Sequence, residues 1–436
     1  MTFSATTQPA PQASNAAPAI APSNDALRGK RVAMVMFSFY PDDPRPRRAI
    51  EAFVKEGMHI DLICLREDDS PGHEVFDGLD VYRIPLKRRR GGKLAYAYQY
   101  SAFILISSLI FAWRSVTRGY DLFYAHNMPD VLVIAGLLPR AFGAKAILDL
   151  HDPMPELMMT IYKLDEHSGA VHWMKRLEKW SIARVDSVVT VSVAFKRVFS
   201  ARSCPAEKIT VVMNTPDSEI FPLREPPAHV SENYARSKPI VIMYHGSLVE
   251  RNGLELAVEA LARVRQVHPA AELRIYGSRT PFLDRVMDLA KSKGLEQSVH
   301  YFGPKRLEDL VTEIEKCDVG VIPNQKNSFT DINTPTRIFE YLALGKPAIA
   351  PRTTGIQDYF DEDSLVFFES GNADDLAARI EYVLANPAEA TSIVRRGQEV
   401  FGEHIWDKER QRLVGLVAGL LGKGAAPADS PVTVGR

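Results

Sequence analysis

The feature that most constrains this chain is a rhythm. Short, apolar, β-rich runs alternate with helix-length segments, and the alternation occurs twice. In the first half the runs are Val32–Phe37, Ile60–Leu65, Val81–Ile84, Leu122–Ala125, Ala146–Leu150 and Ser187–Val191. Several are hydrophobic without interruption, as a strand covered on both faces of a parallel sheet must be. Helical patterns such as Arg48–Glu56 and Trp173–Ala183 lie between them. A stretch holding Pro222, Pro226, Pro227 and Pro239 breaks the pattern. It then restarts with Ile240–Tyr244, Leu273–Tyr276, Val299–Phe302, Val319–Ile322, Ala348–Ala350 and Leu365–Phe368. This pattern predicts an α/β chain of two Rossmann-like, doubly wound domains facing a cleft. The domains cover residues 29–222 and 239–400, with a linker at 223–238 and a C-terminal helix over 401–421. The Ala-, Pro- and Ser-rich ends, 1–28 and 422–436, read as disordered tails.

Composition removes several function classes. A formal net charge of −1 gives no global electrostatic signal for nucleic acid. Cys64, Cys204 and Cys317 lie far apart, giving neither a disulfide framework nor a metal cluster, and they suit a reducing compartment. A secretory signal needs a basic start and a sustained apolar run, and the first thirty or so residues show neither, so a cytoplasmic location is expected. No strand is followed by GxGxxG and no GxxxxGK[ST] occurs, which argues against dinucleotide and P-loop chemistry. Open parallel sheets bind ligands beyond the carboxyl ends of their strands, so functional residues are sought just after the apolar runs.

The most informative segment is Asn333-Thr-Pro-Thr-Arg-Ile-Phe-Glu340-Tyr-Leu-Ala-Leu-Gly345-Lys-Pro347. Thr334 suits an N-cap, Pro335 the first helical position, and Gly345 with Pro347 the stop. A helix N-terminus with free N–H groups suits a diphosphate. Arg337 and Glu340 are three apart and share a face. The arginine adds positive charge, and the carboxylate can accept two hydrogen bonds from a ribose diol. The alternative is a surface glutamate on an amphipathic helix. Apolar Phe339, Tyr341 and Leu342 make the helix largely buried, so the charge there needs a reason.

With Tyr244-His-Gly-Ser-Leu-Val-Glu-Arg-Asn-Gly253 and Ile275-Tyr-Gly-Ser278, this segment resembles the family-four retaining glycosyltransferases of GT-B architecture, over roughly residues 30–420. The resemblance implies that Glu340 holds a nucleotide ribose. It also implies a sugar-facing glutamate eight residues earlier, but Ile332 stands there with Asp331 beside it, and Asp331 is assigned that role. An Arg and a Lys common in the family are replaced by Ser247 and Asn252. Charge on the phosphates is therefore assigned to Arg251, Arg337 and the backbone near Gly246, with Gly277 lining the same site.

On the opposite side, Tyr124-Ala-His126-Asn-Met-Pro-Asp130 and Asp149-Leu-His151-Asp152-Pro-Met-Pro-Glu156 each follow an apolar run. The resemblance implies that His151 lies near the reacting sugar. Asp152 is placed with it, while His126 and Glu156 are assigned to the acceptor, against the alternative of histidines that merely bond local backbone. Many relatives carry paired glycines after the first strand. Here Phe39-Tyr-Pro-Asp-Asp-Pro-Arg45 replaces them, and Arg45 is assigned to the acceptor, with a solvated Pro-rich turn as the alternative. Family enzymes of this kind let the leaving diphosphate help deprotonate the acceptor, so no metal and no cofactor is expected beyond the nucleotide-sugar co-substrate. Asp361-Glu-Asp363 reads as a solvated turn rather than a metal-binding DxD.

Leu94 to Trp113 carries no charge and follows the basic run Lys87-Arg-Arg-Arg90. A membrane span, a buried core helix and an in-plane interfacial helix all fit its length. Residues 87–113 are read as in-plane on an anionic membrane, because Tyr96, Tyr98, Tyr100 and Trp113 suit the interface and a span would interrupt an α/β domain. The expected activity is sugar transfer to a lipid-linked saccharide on the cytoplasmic membrane face. A nucleotide-sugar epimerase and a non-catalytic partner subunit are the rivals.

Overall fold

The computed structural model describes residues 25–86, 93–226 and 239–422, with side chains from residue 98 onward in the second segment. The basic run Lys87–Arg90 and most of the expected linker lie outside them. Two sheets are present. The first orders its eight strands β3-β4-β2-β1-β5-β6-β7-β8, where β1 is Arg31–Phe39, β2 His59–Leu65, β3 His73–Phe76, β4 Leu79–Ile84, β5 Leu122–His126, β6 Lys145–Leu150, β7 Ser187–Thr190 and β8 Ile209–Val211. The second orders six as β11-β10-β9-β12-β13-β14, where β9 is Val241–His245, β10 Glu272–Tyr276, β11 Val299–Tyr301, β12 Val319–Val321, β13 Ala348–Pro351 and β14 Val366–Phe368. All pairings are parallel except β3 with β4.

The twelve expected strands all form. β3 and β8 were not anticipated. β3 is a largely exposed edge hairpin strand without a continuous apolar run, and β8 is three residues long. Helix Pro44–Lys55 starts earlier than the pattern at Arg48 suggests, because the Asp43 side chain accepts from Arg45 N and a proline occupies the first turn.

Strand order reverses between β1 and β5 in the first sheet and between β9 and β12 in the second, so the loops after these strands open onto the cleft. The chain crosses into the second domain through residues 212–221, where Met213 and Phe221 join its core. It then returns. Helix Trp406–Leu421 packs Leu413, Val414, Leu416 and Val417 into the first domain's core. Glu409 accepts from Met213 N at 2.9 Å, and Arg410 pairs with Glu56 at 2.8 Å. The helix expected over 401–421 is thus a clasp on the first domain, and Phe401 and Gly402 end the helix before it, Pro387–Gly402.

Helix Lys93–Thr117 packs one face on the first sheet and leaves the other open. Phe103, Ser107, Phe111 and Ser115 are buried, and Arg114 pairs with Asp61 at 2.6 Å and Asp80 at 3.3 Å. Tyr98, Leu105, Leu109, Trp113 and Val116 form an exposed apolar stripe, with Trp113 72% exposed. The helix is long and apolar enough by composition to cross a membrane, yet an element fixed along one face to an α/β sheet is not placed to span one. Neither is it a buried core helix, since 22% of the apolar window is buried.

Candidate active site

Between the domains lies a cleft of about 930 Å³, lined by the loops that follow β1, β6, β9, β10 and β12. On the second-domain side, β9 delivers His245 and then turns at Gly246. Gly277, after β10, has φ 153°, and a Cβ there would meet the Gly246 carbonyl oxygen at 2.1 Å. Only glycine lets the two loops touch, and their contact shapes the floor of the cleft. Ser247 lines the cleft too, and its carbonyl accepts from Tyr244 OH and from Asn252 Nδ2, both at 2.8 Å. Asn252, in place of a family lysine, is therefore a buried brace for the turn.

Besides Lys305 at the rim, two arginines bring positive charge to this side. Arg337 donates from Nη1 to His245 O at 3.1 Å and lies 4.8 Å over the Tyr244 ring. Arg251 lines the same cleft. Its burial depresses its pKa, with Asp152 opposing that and Arg337 adding to it, so the two cations are electrostatic neighbours. Among the described residues neither forms an ion pair. Two half-buried guanidinium groups without a carboxylate partner leave room for an anion.

Glu340 faces this pair. One of its oxygens is hydrogen-bonded by His245 Nε2, whose Nδ1 meets Tyr341 OH at 2.9 Å. Tyr341 OH donates in turn to Met243 O at 2.9 Å. The carboxylate is held by one oxygen and keeps the other for a ligand. The helix bearing it, Arg337–Ala343, is only seven residues long and its N-cap is Thr336, without a side-chain cap bond. Thr334 is not the cap. Its hydroxyl donates to Gly355 O at 2.7 Å, while the first turn closes through Ile338 N to Pro335 O and Phe339 N to Thr336 O. So short a helix carries a weak dipole, and the guanidinium groups carry the anion argument instead.

Asp331 does not line the cleft. Its carboxylate binds Thr354 N and Oγ1, both at 3.2 Å, and Lys326 Nζ at 3.2 Å. It braces a turn, which corrects the sugar-facing assignment. Neighbouring Ile332 packs on the first domain's core together with Phe329, and Thr160 of that domain donates to Asn327 Oδ1 at 2.9 Å.

The first-domain wall presents Arg45, His151 and Asp152. Arg45 lies 3.8 Å from both Asp43 and Asp152. Burial raises the Asp152 pKa, and Arg45 and Arg251 pull it back. The two acceptor assignments behind this wall need correcting. Both Glu156 oxygens are taken by Arg202, which also holds the fully buried Glu178. His126 is 1% exposed and does not reach the cleft. Its Nδ1 lies 3.0 Å from His151 Nε2 and 3.3 Å from Asp149 Oδ2, and Tyr124 OH donates to that same oxygen at 2.9 Å. Among the described residues this trio is the group whose ligand atoms converge enough to hold a metal ion, all within 4.8 Å. A 3.0 Å nitrogen–nitrogen contact is also hydrogen-bond length. Burial lowers the His151 pKa well below the imidazole range, and the histidines hold Asp149 below the carboxylate range despite its own burial.

Sequence reasoning missed His245 and Asp149 as partners of site residues. Each stands within two residues of one that was assigned, His245 directly before Gly246 and Asp149 two before His151. Position at a strand's carboxyl end was the available signal. Asp361 to Asp363 form a turn closed by Asp361 Oδ1, which accepts from Asp363 N at 3.1 Å and Ser364 Oγ at 2.7 Å.

Two family models match the chain in tandem. "Glycosyl transferase 4-like domain" covers residues 44–215, and "Glycosyl transferases group 1" covers 228–400. The amylovoran biosynthesis glycosyltransferase AmsK of Erwinia amylovora is 25% identical over 230 residues, 51% of this chain and 54% of that protein. The chain spans about half the length of the first curated relatives it matches. Sucrose-phosphate synthase from Thermosynechococcus elongatus superposes with a TM-score of 0.72 at 20% identity, covering 90% of this chain and 99% of that one. HepE of Anabaena in complex with UDP-glucose gives 0.65 at 15% identity, covering 89% and 99%. With both domain models matched in order across two facing Rossmann-like domains, the chain belongs to the GT-B glycosyltransferases of the family-four type.

Proposed function

We propose that this protein transfers a sugar from a nucleoside diphosphate to a lipid-linked saccharide at the cytoplasmic face of a membrane, with retention of anomeric configuration. The observation that carries the reading is the second-domain wall: Arg251 and Arg337, without ion-pair partners among the described residues, beside a Glu340 with one oxygen committed to His245. A diphosphate fits between the arginines and a ribose diol meets the free Glu340 oxygen. The solved HepE complex contains UDP-glucose on the same fold, which supports a donor of this class.

The sugar then points toward His151 and Asp152. An acceptor hydroxyl attacks the anomeric carbon as the bond to the diphosphate breaks, and its proton passes to the departing phosphate oxygen. Arg251 and Arg337 stabilise the charge that develops there, and Arg45 orients the acceptor side. The exposed stripe Leu105, Leu109, Trp113 and Val116 on the first domain supports seating of that domain on a lipid interface. AmsK, named as a glycosyltransferase of amylovoran biosynthesis, supports a saccharide acceptor.

The test is incubation with membranes and a panel of nucleotide sugars, read for transfer and for interconversion of the free donor. Transfer is expected; epimerised donor without transfer, or no chemistry at all, would favour the rivals. A Leu105→Ser/Trp113→Ser double variant is expected to lose vesicle binding while retaining the thermal shift given by the donor.

A further inference from the structure

β5 and β6 are parallel neighbours whose register pairs His126 with Asp149, so their carboxyl ends set Tyr124, His126, Asp149 and His151 side by side. The two imidazoles are nearly parallel, with an interplanar angle of 20°. The hydrogens follow from the heavy atoms. His126 Nδ1 is within reach of two atoms at once, His151 Nε2 at 3.0 Å and Asp149 Oδ2 at 3.3 Å. Tyr124 OH already donates to that carboxylate oxygen. If His151 Nε2 carried the proton and His126 Nδ1 accepted it, the Nδ1 lone pair would face a buried carboxylate oxygen with no hydrogen between them. That arrangement is repulsive in a low-dielectric interior. A proton on His126 Nδ1 satisfies both neighbours. His151 Nε2 is then an acceptor, and the single proton of its neutral ring sits on Nδ1.

Among the described residues, His151 Nδ1 is buried without a hydrogen-bond partner, as is His126 Nε2, and of the two residues it is His151 that lines the cleft. A buried N–H without an acceptor is costly, and a molecule entering the cleft that His151 lines is the acceptor the geometry points to. We propose that Asp149 and His126 are positioning residues that hold the His151 proton on Nδ1, so that His151 donates a hydrogen bond to a hydroxyl of the bound donor sugar. The tautomer is the reverse of the one an unconstrained imidazole favours in water, so the protein must impose it. Burial keeps His151 neutral over the physiological range, which is what makes the choice of nitrogen matter. The hydroxyl as target rests on the transferase reading; the tautomer does not.

The test is long-range proton–nitrogen correlation NMR on the full chain labelled with [15N]histidine, the His151 signals being identified by their loss in His151→Gln. A protonated Nδ1 and an unprotonated Nε2 are expected. His126→Leu should shift His151 toward the Nε2–H form, whereas His126→Asn, whose amide N–H stands near the original Nδ1–H, should restore Nδ1–H. Sugar-transfer kinetics should follow: kcat lower by roughly ten- to a hundredfold in His126→Leu with KM changed less than about twofold, and largely recovered in His126→Asn. A proton on Nε2 of His151 in the unmodified protein overturns the proposal, as does an unchanged tautomer in His126→Leu. Asp149→Asn gives the same reading should His126→Leu fail to fold. Loss of both signals on adding stoichiometric zinc would instead make the trio a metal site. The expected tautomer in a protein that neither binds nor turns over nucleotide sugars would leave the positioning intact and defeat the transferase reading alone.

Discussion

The two walls of the cleft solve opposite electrostatic problems. The second-domain wall leaves its charges open: Arg251 and Arg337 face the cleft without counter-ions among the described residues, and Glu340 spends one oxygen on His245. The first-domain wall closes most of its charges internally. Glu156 and Glu178 share Arg202, Asp149 is tied to Tyr124 and His126, and Asp130 is buried with Asn127 donating to it at 3.1 Å. An open wall waits for a charged ligand, which supplies the missing counter-ion. A closed wall offers shape and single hydrogen bonds, which suits neutral sugar hydroxyls. The contrast teaches that unpaired charge marks the nucleotide half better than conspicuous polar residues mark the acceptor half.

The largest expected effect tests the open wall. Glu340→Ala and Arg337→Ala should each weaken nucleoside diphosphate binding at least about a hundredfold, or about 3 kcal/mol, by calorimetry. Unchanged affinity in either variant would remove that residue from the site.

A smaller effect probes the closed wall through pH. Burial, with Glu178 nearby, pushes the Asp130 carboxyl up to about 7. The folded protein then holds a proton that the unfolded chain has lost, so stability falls as pH rises from about 4 through 7. Asp130→Asn should lack this slope. Urea midpoints compared at pH 5 and pH 8 should show the unmodified protein losing about 2 kcal/mol more than the variant, discounted from full linkage because interiors relax around charge. Parallel pH profiles would mean that Asp130 ionises normally.

Glu156→Gln should cost about 1–2 kcal/mol of stability, because Arg202 loses one of its two carboxylates and keeps Glu178. Acceptor KM should not move. A raised KM with unchanged stability would return Glu156 to the acceptor site. The mildest change is expected from Arg251→Ala, about tenfold in affinity for a nucleoside diphosphate and little for the bare nucleoside, since Arg337 still holds the phosphates. Equal losses for both ligands would place Arg251 against the base instead.

How legible each wall was in the sequence follows from where its contacts come from. Arg337 and Glu340 are three residues apart on one helix, so their shared face could be read directly. Gly246 was legible as the glycine that ends a strand. The failures were long-range. Glu156 looked free at the start of helix Met154–Tyr162, yet its partner Arg202 is 46 residues on, at the end of another helix. Asp331 looked like a displaced ligand, but Thr354, 23 residues away, takes its carboxylate. His126 looked like a contact residue until the register of β5 on β6 put His151 and Asp149 against it. Thr334 failed for a local reason, since Thr336 precedes the helix and Thr334 bonds Gly355 instead.

The sequence by itself determined the two-domain α/β architecture, because uninterrupted apolar runs alternating with helices have few ways to bury themselves other than parallel sheets with covered faces. It also determined that the short helix beyond the loop after β12 carries an arginine and a glutamate with reason to be there. Only the tertiary structure decided which charged groups remain unsatisfied. That depends on partners tens of residues away, brought into hydrogen-bond range by strand register and helix packing, and no local pattern reports it.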